Sequence, residues 1–319
     1  MSVPASESGS IRRAVIDIGT NSVKLLVGDV KDGFITPIFE DSKQTRLGAG
    51  LYTEHRLQPE AIIQTAKAVA NYSIEARKQG AQSTLVIATS ATRDARNAQD
   101  LLNAINDTAQ LQVRILSGDE EAEWVFGGVM TDSKLAAESL FIIDVGGGSS
   151  EIILGENGHK YWSGSFNIGA VRLLEQLKLA DPPGPAALEH CRNSLRNFFT
   201  IDAAPKIGGA IHKSSKKVRF IGVGGTATIL ARVEQQIDTF DRDRIENARV
   251  PLSKLTRDLE LLWQKPLSER QQVVGIPKKR ADVILTGMAI YEAVMKQFGF
   301  GEVRVSTRGL RYFALLQDH

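Results

Sequence analysis

Two aspartates in this chain keep matching company. Asp17 closes the apolar run of VIDIGTNS (15–22), and Asp144 closes that of IIDVGGGSS (142–150). Each is followed by a turn built from glycine and hydroxyl residues. Backbone N–H groups in such turns converge on an anion, and glycine removes side chains that would block its approach. Gly19, Thr20, Asn21 and Ser22, and Gly146, Gly147, Gly148 and Ser149 with Ser150 behind them, are therefore candidate phosphate ligands. A bare carboxylate beside a phosphate repels it. A divalent cation between them removes the conflict, and magnesium suits oxygen ligands, with manganese the alternative. Asp144 and Asp17 are the candidate metal ligands. A single Asp-x-Gly hairpin is more often structural, so the case rests on there being two.

A third turn, GVGGTAT (222–228), lies between a strand and a helix. Ala227 stands where a dinucleotide fingerprint needs its third glycine, so Gly224, Gly225 and Thr226 read as a further phosphate contact.

The elements around these turns form an α/β pattern. The first strand, turn and second strand read as a hairpin, and a third strand follows with Pro37 at an edge or bulge. Residues 58–80 have helical spacing and stop at Gly80, and 83–95 read as a strand running into a loop. A helix is expected over DEEAEWVFGGVM (119–130), with acidic residues favoured in its first turn. From residue 140 the theme repeats: strand, Asp-Gly turn, strand, third strand, then two helical stretches separated by ADPPGP (180–185). This weak duplication predicts two lobes facing a central cleft, a preferred place for ligands. The expected division is a disordered tail over 1–10, a first lobe over 11–119 joined by a C-terminal helix at 306–319, and a second lobe over 120–305.

Composition narrows the classes. The chain has 319 residues and a formal net charge of +2, so it is no polycation that would bind nucleic acid by bulk charge. Any basic site is local. KIGGAIHKSSKKVRF (206–220) reads equally as a track for a polyanion and as a solvated loop, and Lys278, Lys279 and Arg280 are similar, with Arg280 read as a local anchor. Cys191 is the only cysteine, which excludes an internal disulfide and fits a reducing compartment; it reads as a small core residue. No apolar run approaches the roughly 18–20 residues that span a bilayer, and the polar start MSVPASESGS lacks a signal-peptide core. A cytoplasmic protein without a membrane partner is expected.

Seven segments together carry a family likeness: VIDIGTNSVKLLV, ATSATRDARN, ILSGDEEAEWVFGGV, IIDVGGGSSEI, GSFNIGAVRL, GVGGTATILA and RADVILTGMAIYEAVM, in this order. The chain resembles the exopolyphosphatase and guanosine pentaphosphate phosphohydrolase family. That family belongs with actin, sugar kinases and Hsp70, so the resemblance implies two ribonuclease-H-like lobes. It makes Arg93 a phosphate ligand, a role that suits a planar fork able to bond two oxygens at once. It makes Glu121, within SGDEEAE (117–123), the base that activates water. Glu120 and Glu123 are the contrasts: one is expected to face solvent and the other to pair with a cation. The implied substrate is inorganic polyphosphate, shortened by one phosphate per turnover with magnesium. A guanosine pentaphosphate 5′-phosphatase is the nearest rival, a kinase borrows from the wider group, and a non-catalytic polyphosphate or alarmone sensor is the third alternative. Family habit alone adds a homodimer. Longer members carry C-terminal helical domains, whereas this sequence stops at His319, so a short form is expected. STRGLRYF (306–313) departs from the GLREG of relatives, and Arg308 and Arg311 receive no site role.

Overall fold

The computed structural model of the chain describes residues 9–211 and 216–317. The expected disordered tail lies, up to residue 8, outside the described residues. Packing divides the chain into two units. The first runs up to Asp132 and takes in the chain from Arg308 onward; the second is Ser133–Thr307.

The first unit is built on a five-stranded sheet: β1 (Ile11–Ile18), β2 (Ser22–Lys31), β3 (Phe34–Gln44), β4 (Ser83–Ala88) and β5 (Val113–Ile115), in the order β3-β2-β1-β4-β5. β1, β2 and β3 form an antiparallel meander, while β4 and β5 join parallel to β1. β1 is buried almost continuously from Ala14 to Ile18, as a central strand covered on both faces must be. β3 is the edge, and its register on β2 slips between Val27 and Gly28, opposite Phe39 and Pro37. Proline lacks the ladder donor, so it is tolerated there.

The second unit holds six strands: β6 (Ser139–Val145), β7 (Ser150–Glu156), β8 (His159–Phe166), β9 (Arg219–Val223), β10 (Arg249–Pro251) and β11 (Glu302–Val305). Their order is β10-β11-β9-β6-β7-β8. Without the short edge strand β10, this repeats the first sheet strand for strand: an antiparallel meander β6-β7-β8, then β9 and β11 parallel to β6. The duplication seen in the motifs is thus a duplication of topology. Both units are α/β and ribonuclease-H-like.

The helix Gly118–Met130 lies wholly in the first unit, whereas a boundary at 119/120 would have cut it. The reason is its packing on the last helix, Leu310–Leu316, where Trp124 meets Phe313 at a centroid distance of 6.0 Å. Gly128 lets the two approach: a Cβ there would run into the Gly309 carbonyl. Arg308 donates to the Thr131 carbonyl (3.0 Å) and Arg311 to that of Leu25 (3.2 Å), so both arginines fasten this segment. Helix propensity alone would favour alanine over glycine by about 1 kcal/mol. The contact with backbone reverses the sign, and Gly128→Ala is expected to destabilise the fold by about 1–3 kcal/mol, read as a lower denaturant midpoint. An unchanged or higher midpoint would contradict this packing.

Other expectations meet corrections. Ser90–Asp94, expected as loop, is a short helix directly after β4, and Lys206–Ile211 of the basic stretch lies in the helix Ala204–Ile211. Among the described residues no helix is long and apolar enough to cross a membrane.

Candidate active site

In each unit the candidate residues gather at one place, the edge formed by the C-terminal ends of the parallel strands, where ligands of open α/β sheets bind. In the first unit, Thr89 N–H donates to the Ile18 carbonyl (3.2 Å) and Leu116 N–H to that of Ala88 (2.9 Å). These bonds carry the ladder past the strand ends and bring segments 19–22, 89–93 and 116–121 together.

The turn itself is closed by Gly19 N–H on the Ser22 carbonyl (3.0 Å). Its other carbonyls are held from behind: Thr20 accepts from Gly48 N–H (2.8 Å), and Asn21 from Thr45 (3.2 Å) and Arg46 (3.1 Å). In a trans peptide the N–H points opposite to its carbonyl. The amides of Asn21 and Ser22 are therefore aimed away from segment 45–48. The Asn21 side chain is only 7% exposed, and its Nδ2 has no protein acceptor. A buried amide donor left open costs free energy unless a ligand or water takes it. The turn presents donors to an anion.

Arg93 follows β4 on the helix Ser90–Asp94. Its Nη1 donates to the Leu116 carbonyl (2.7 Å) and to Glu121 Oε2 (3.2 Å). Glu121 rides in the first turn of Gly118–Met130, and the start of that helix fixes which glutamate points inward. Ser117 and Glu120 form a reciprocal cap: Glu120 N–H on Ser117 Oγ (3.2 Å) and Ser117 N–H on Glu120 Oε2 (2.9 Å). Glu120 also pairs with Arg114 at 2.8 Å. The Ser117 backbone donor, then Arg114, holds the Glu120 carboxyl below its ordinary value. A helix turns by 100° per residue, so with Glu120 on the cap, Glu121 faces inward, 8% exposed, and Glu123 lies on the exposed face. Of the two contrasts, Glu120 is the one held by Arg114.

The second unit repeats the turn. Gly146 N–H donates to the Ser149 carbonyl (3.0 Å); the Gly146 and Gly147 carbonyls accept from the first amides of the helix Ala170–Leu177 at 2.8–3.0 Å, and Gly148 accepts from Arg172 Nε (2.7 Å). By the same peptide geometry the amides of Gly147, Gly148 and Ser149 are aimed away from that helix. The third turn opens the helix Gly224–Gln235. Gly224 has φ +79°, and a Cβ on it would run into the Asp144 carboxylate. Glycine is needed there for both reasons. Thr226, expected to bind phosphate, spends its hydroxyl on the Val145 carbonyl (2.9 Å); what remains is its N–H at a helix start.

The sequence pattern of the Ppx/GppA phosphatase family runs over residues 26–317. The chain belongs to that family. It is 30% identical over 297 residues to exopolyphosphatase 2 of Mycobacterium tuberculosis, covering 90% of each chain. It is also 30% identical over 320 residues to a bifunctional 3-dehydroquinate synthase/phosphatase of Fusobacterium nucleatum, of which it spans 46%, about half. The crystal structure of an exopolyphosphatase from Cytophaga hutchinsonii superposes with a TM-score of 0.84 at 25% identity, covering 96% of both chains.

Two residues of this Ppx/GppA chain that the sequence reading left without a role stand beside the expected ones. Glu151 lies directly across the hairpin from Asp144 and is fully buried, with Ser165 Oγ donating to its Oε1 (2.8 Å). The signal was there to count: Glu151 comes seven positions after Asp144 around a turn whose register is fixed. Arg280, read as a local anchor, lies against Gly225, where a Cβ would sit 3.1 Å from both terminal guanidinium nitrogens. Burial lowers its pKa, while the Asp282 and Asp144 carboxylates pull the other way.

Opposed carboxylates suit a divalent cation, and magnesium takes one or two carboxylates and completes its shell with substrate phosphate and water. Among the described residues no three His, Cys, Asp or Glu side chains form a cage. Asp144 with Glu151 fits the ion. Asp17 has Lys24 Nζ at 3.8 Å.

The basic stretch divides. Lys216 bonds Asn157 (2.9 Å) and Arg219 pairs with Glu138. Arg219 registers with Leu140, while Val223 registers with Asp144, four residues further along the strand. At about 3.3 Å per residue, that puts Arg219 roughly 13 Å from the glycine turns, at the wrong end of the sheet. His212 to Ser215 lie outside the described residues. Cys191 is fully buried, and burial pushes its thiol up to about 12, as an inert core residue requires.

Proposed function

We propose that this chain is an exopolyphosphatase, releasing inorganic phosphate from the end of linear polyphosphate. The observation that carries the reading is the Arg93–Glu121 pair at 3.2 Å, set on the same strand-end edge as the donor-lined turn at Asn21. The names of two relatives similar over nearly the whole chain support the substrate class.

In this reading the amides and Asn21 Nδ2 hold phosphoryl oxygens, and Arg93 bonds the terminal group. Glu121 takes a proton from water as the water oxygen attacks the terminal phosphorus. The bridging P–O bond breaks and the shortened chain leaves with the bridging oxygen. Magnesium, with manganese the alternative, would be held by Asp144 beside Glu151 and would offset charge on the phosphoryl oxygens. Positioning and electrostatics supply most of the acceleration in such transfers.

The test compares specificity constants on polyphosphates of graded length with that on guanosine pentaphosphate. A higher constant on polyphosphate is expected. A higher constant on the pentaphosphate would move the assignment to the 5′-phosphatase, and no release from either would overturn it.

A further inference from the structure

The second turn is held from behind by the helix Ala170–Leu177, one carbonyl after another. The Gly146 carbonyl accepts from Ala170 N–H (2.9 Å), and that of Gly147 from the N–H groups of Val171 (2.8 Å) and Arg172 (3.0 Å). Those donors are backbone, and any residue but proline supplies them. The third carbonyl, Gly148, accepts from a side chain instead, Arg172 Nε at 2.7 Å. The two turns are closed by the same bond, Gly19 to Ser22 and Gly146 to Ser149, so Asn21 is the match of Gly148. The Asn21 carbonyl accepts from the backbone N–H groups of Thr45 and Arg46. At this one position, a fold-given lock in the first unit is replaced by a chosen side chain in the second.

We propose that Arg172 is the positioning residue of the second turn: by holding the Gly148 carbonyl it aims the Ser149 N–H at a phosphoryl oxygen. The inference rests on reading that turn as a phosphate site. A trans peptide carries its C=O and N–H on opposite sides, so the bond that fixes one fixes the other. Gly148 and Ser149 are both buried. A buried carbonyl that loses its donor costs free energy, and rotating the peptide is the cheapest repair. Glycine makes that rotation easy, since it populates conformations closed to other residues. The Ser149 N–H would then turn away from the anion. Arg172 also brings charge: a charged donor bonds about twice as strongly as a neutral one, and it polarises the peptide into a better N–H donor. Helix and turn are close enough for such control, as a Cβ on Gly169 would run into the Gly147 carbonyl.

The test separates the bond from the charge. Arg172→Met removes both, and KM for polyphosphate should rise about ten-fold or more, the scale of a lost charged hydrogen bond. Arg172→Gln restores the donor without the charge, because glutamine Nε2 stands as many bonds from Cα as arginine Nε. It should recover most of the loss, which neither a general packing role nor direct charge contact with substrate would predict. The second readout is the Ser149 amide proton resonance on adding methylenediphosphonate with magnesium, a probe whose P–C–P bridge is not hydrolysed. It should move downfield in the wild type and in Arg172→Gln, and stay in place in Arg172→Met. An unchanged KM in folded Arg172→Met, Arg172→Gln no better than Arg172→Met, or a wild-type Ser149 resonance that ignores the probe would overturn the proposal. The last needs no variant, so it decides even where Arg172→Met does not fold. The resonance is read without hydrolysis, whereas phosphate release by the wild type reports on the exopolyphosphatase reading, so the two can fail separately.

Discussion

Glu121→Gln is expected to lower phosphate release from polyphosphate by about 10²–10⁴-fold, the range for losing a general base. The substitution keeps the shape and removes only the basic oxygen. Arg93 retains its bond to the Leu116 carbonyl at 2.7 Å, so the local fold has no cause to change. Binding should survive or tighten. In the wild type part of the Arg93 guanidinium is engaged by Glu121 Oε2, and a phosphate must compete for it. With a neutral amide in its place that competition weakens. Single-turnover release and equilibrium binding of polyphosphate separate the two effects. Full activity would remove Glu121 from the role of base, and loss of binding with loss of activity would make it a structural residue.

Asp144→Asn carries the second large effect. Asparagine fills the same space against Gly224, so the third turn is undisturbed, but the charge is gone. Glu151 is left as the sole carboxylate of its pair. The magnesium concentration giving half-maximal phosphate release should rise by at least about ten-fold, since even changes behind a metal ligand cost 10–100-fold in affinity. An unaltered titration would move the ion elsewhere. Arg280 also loses a nearby counter-charge in this variant, so a fall in substrate affinity alongside the metal effect is expected.

The duplicated hairpin was legible because chemistry and topology share one signal: an aspartate at a strand end, then a turn too bare to be mere connection. Pro37 announced the edge strand in the same way, through its missing donor. Glu121 was not separable from Glu120 by residue type. The phase of the helix separates them, and Ser117 three residues before Glu120 was the readable sign of that phase. Glu151 was overlooked because an acidic residue entering an apolar strand is noticed only when the hairpin register is counted across to Asp144. The basic stretch stayed open between polyanion track and solvated loop for a different reason. Charge can be read from sequence, but the end of a strand that carries it depends on strand direction, and Arg219 starts β9 whereas Gly224 follows its end. The boundary near residue 132 was hidden by a tertiary contact, the close approach at Gly128 and Gly309, which no local pattern displays.

Polyphosphate hydrolysis in ¹⁸O-enriched water, with the chain products resolved by length, tests the central claim most directly. The account predicts one ¹⁸O atom in each released inorganic phosphate, and a ladder that shortens by single units. Label in the new end of the remaining chain would place the attack on the penultimate phosphorus, and internal cuts would show that the enzyme does not work from the end; either result would contradict it.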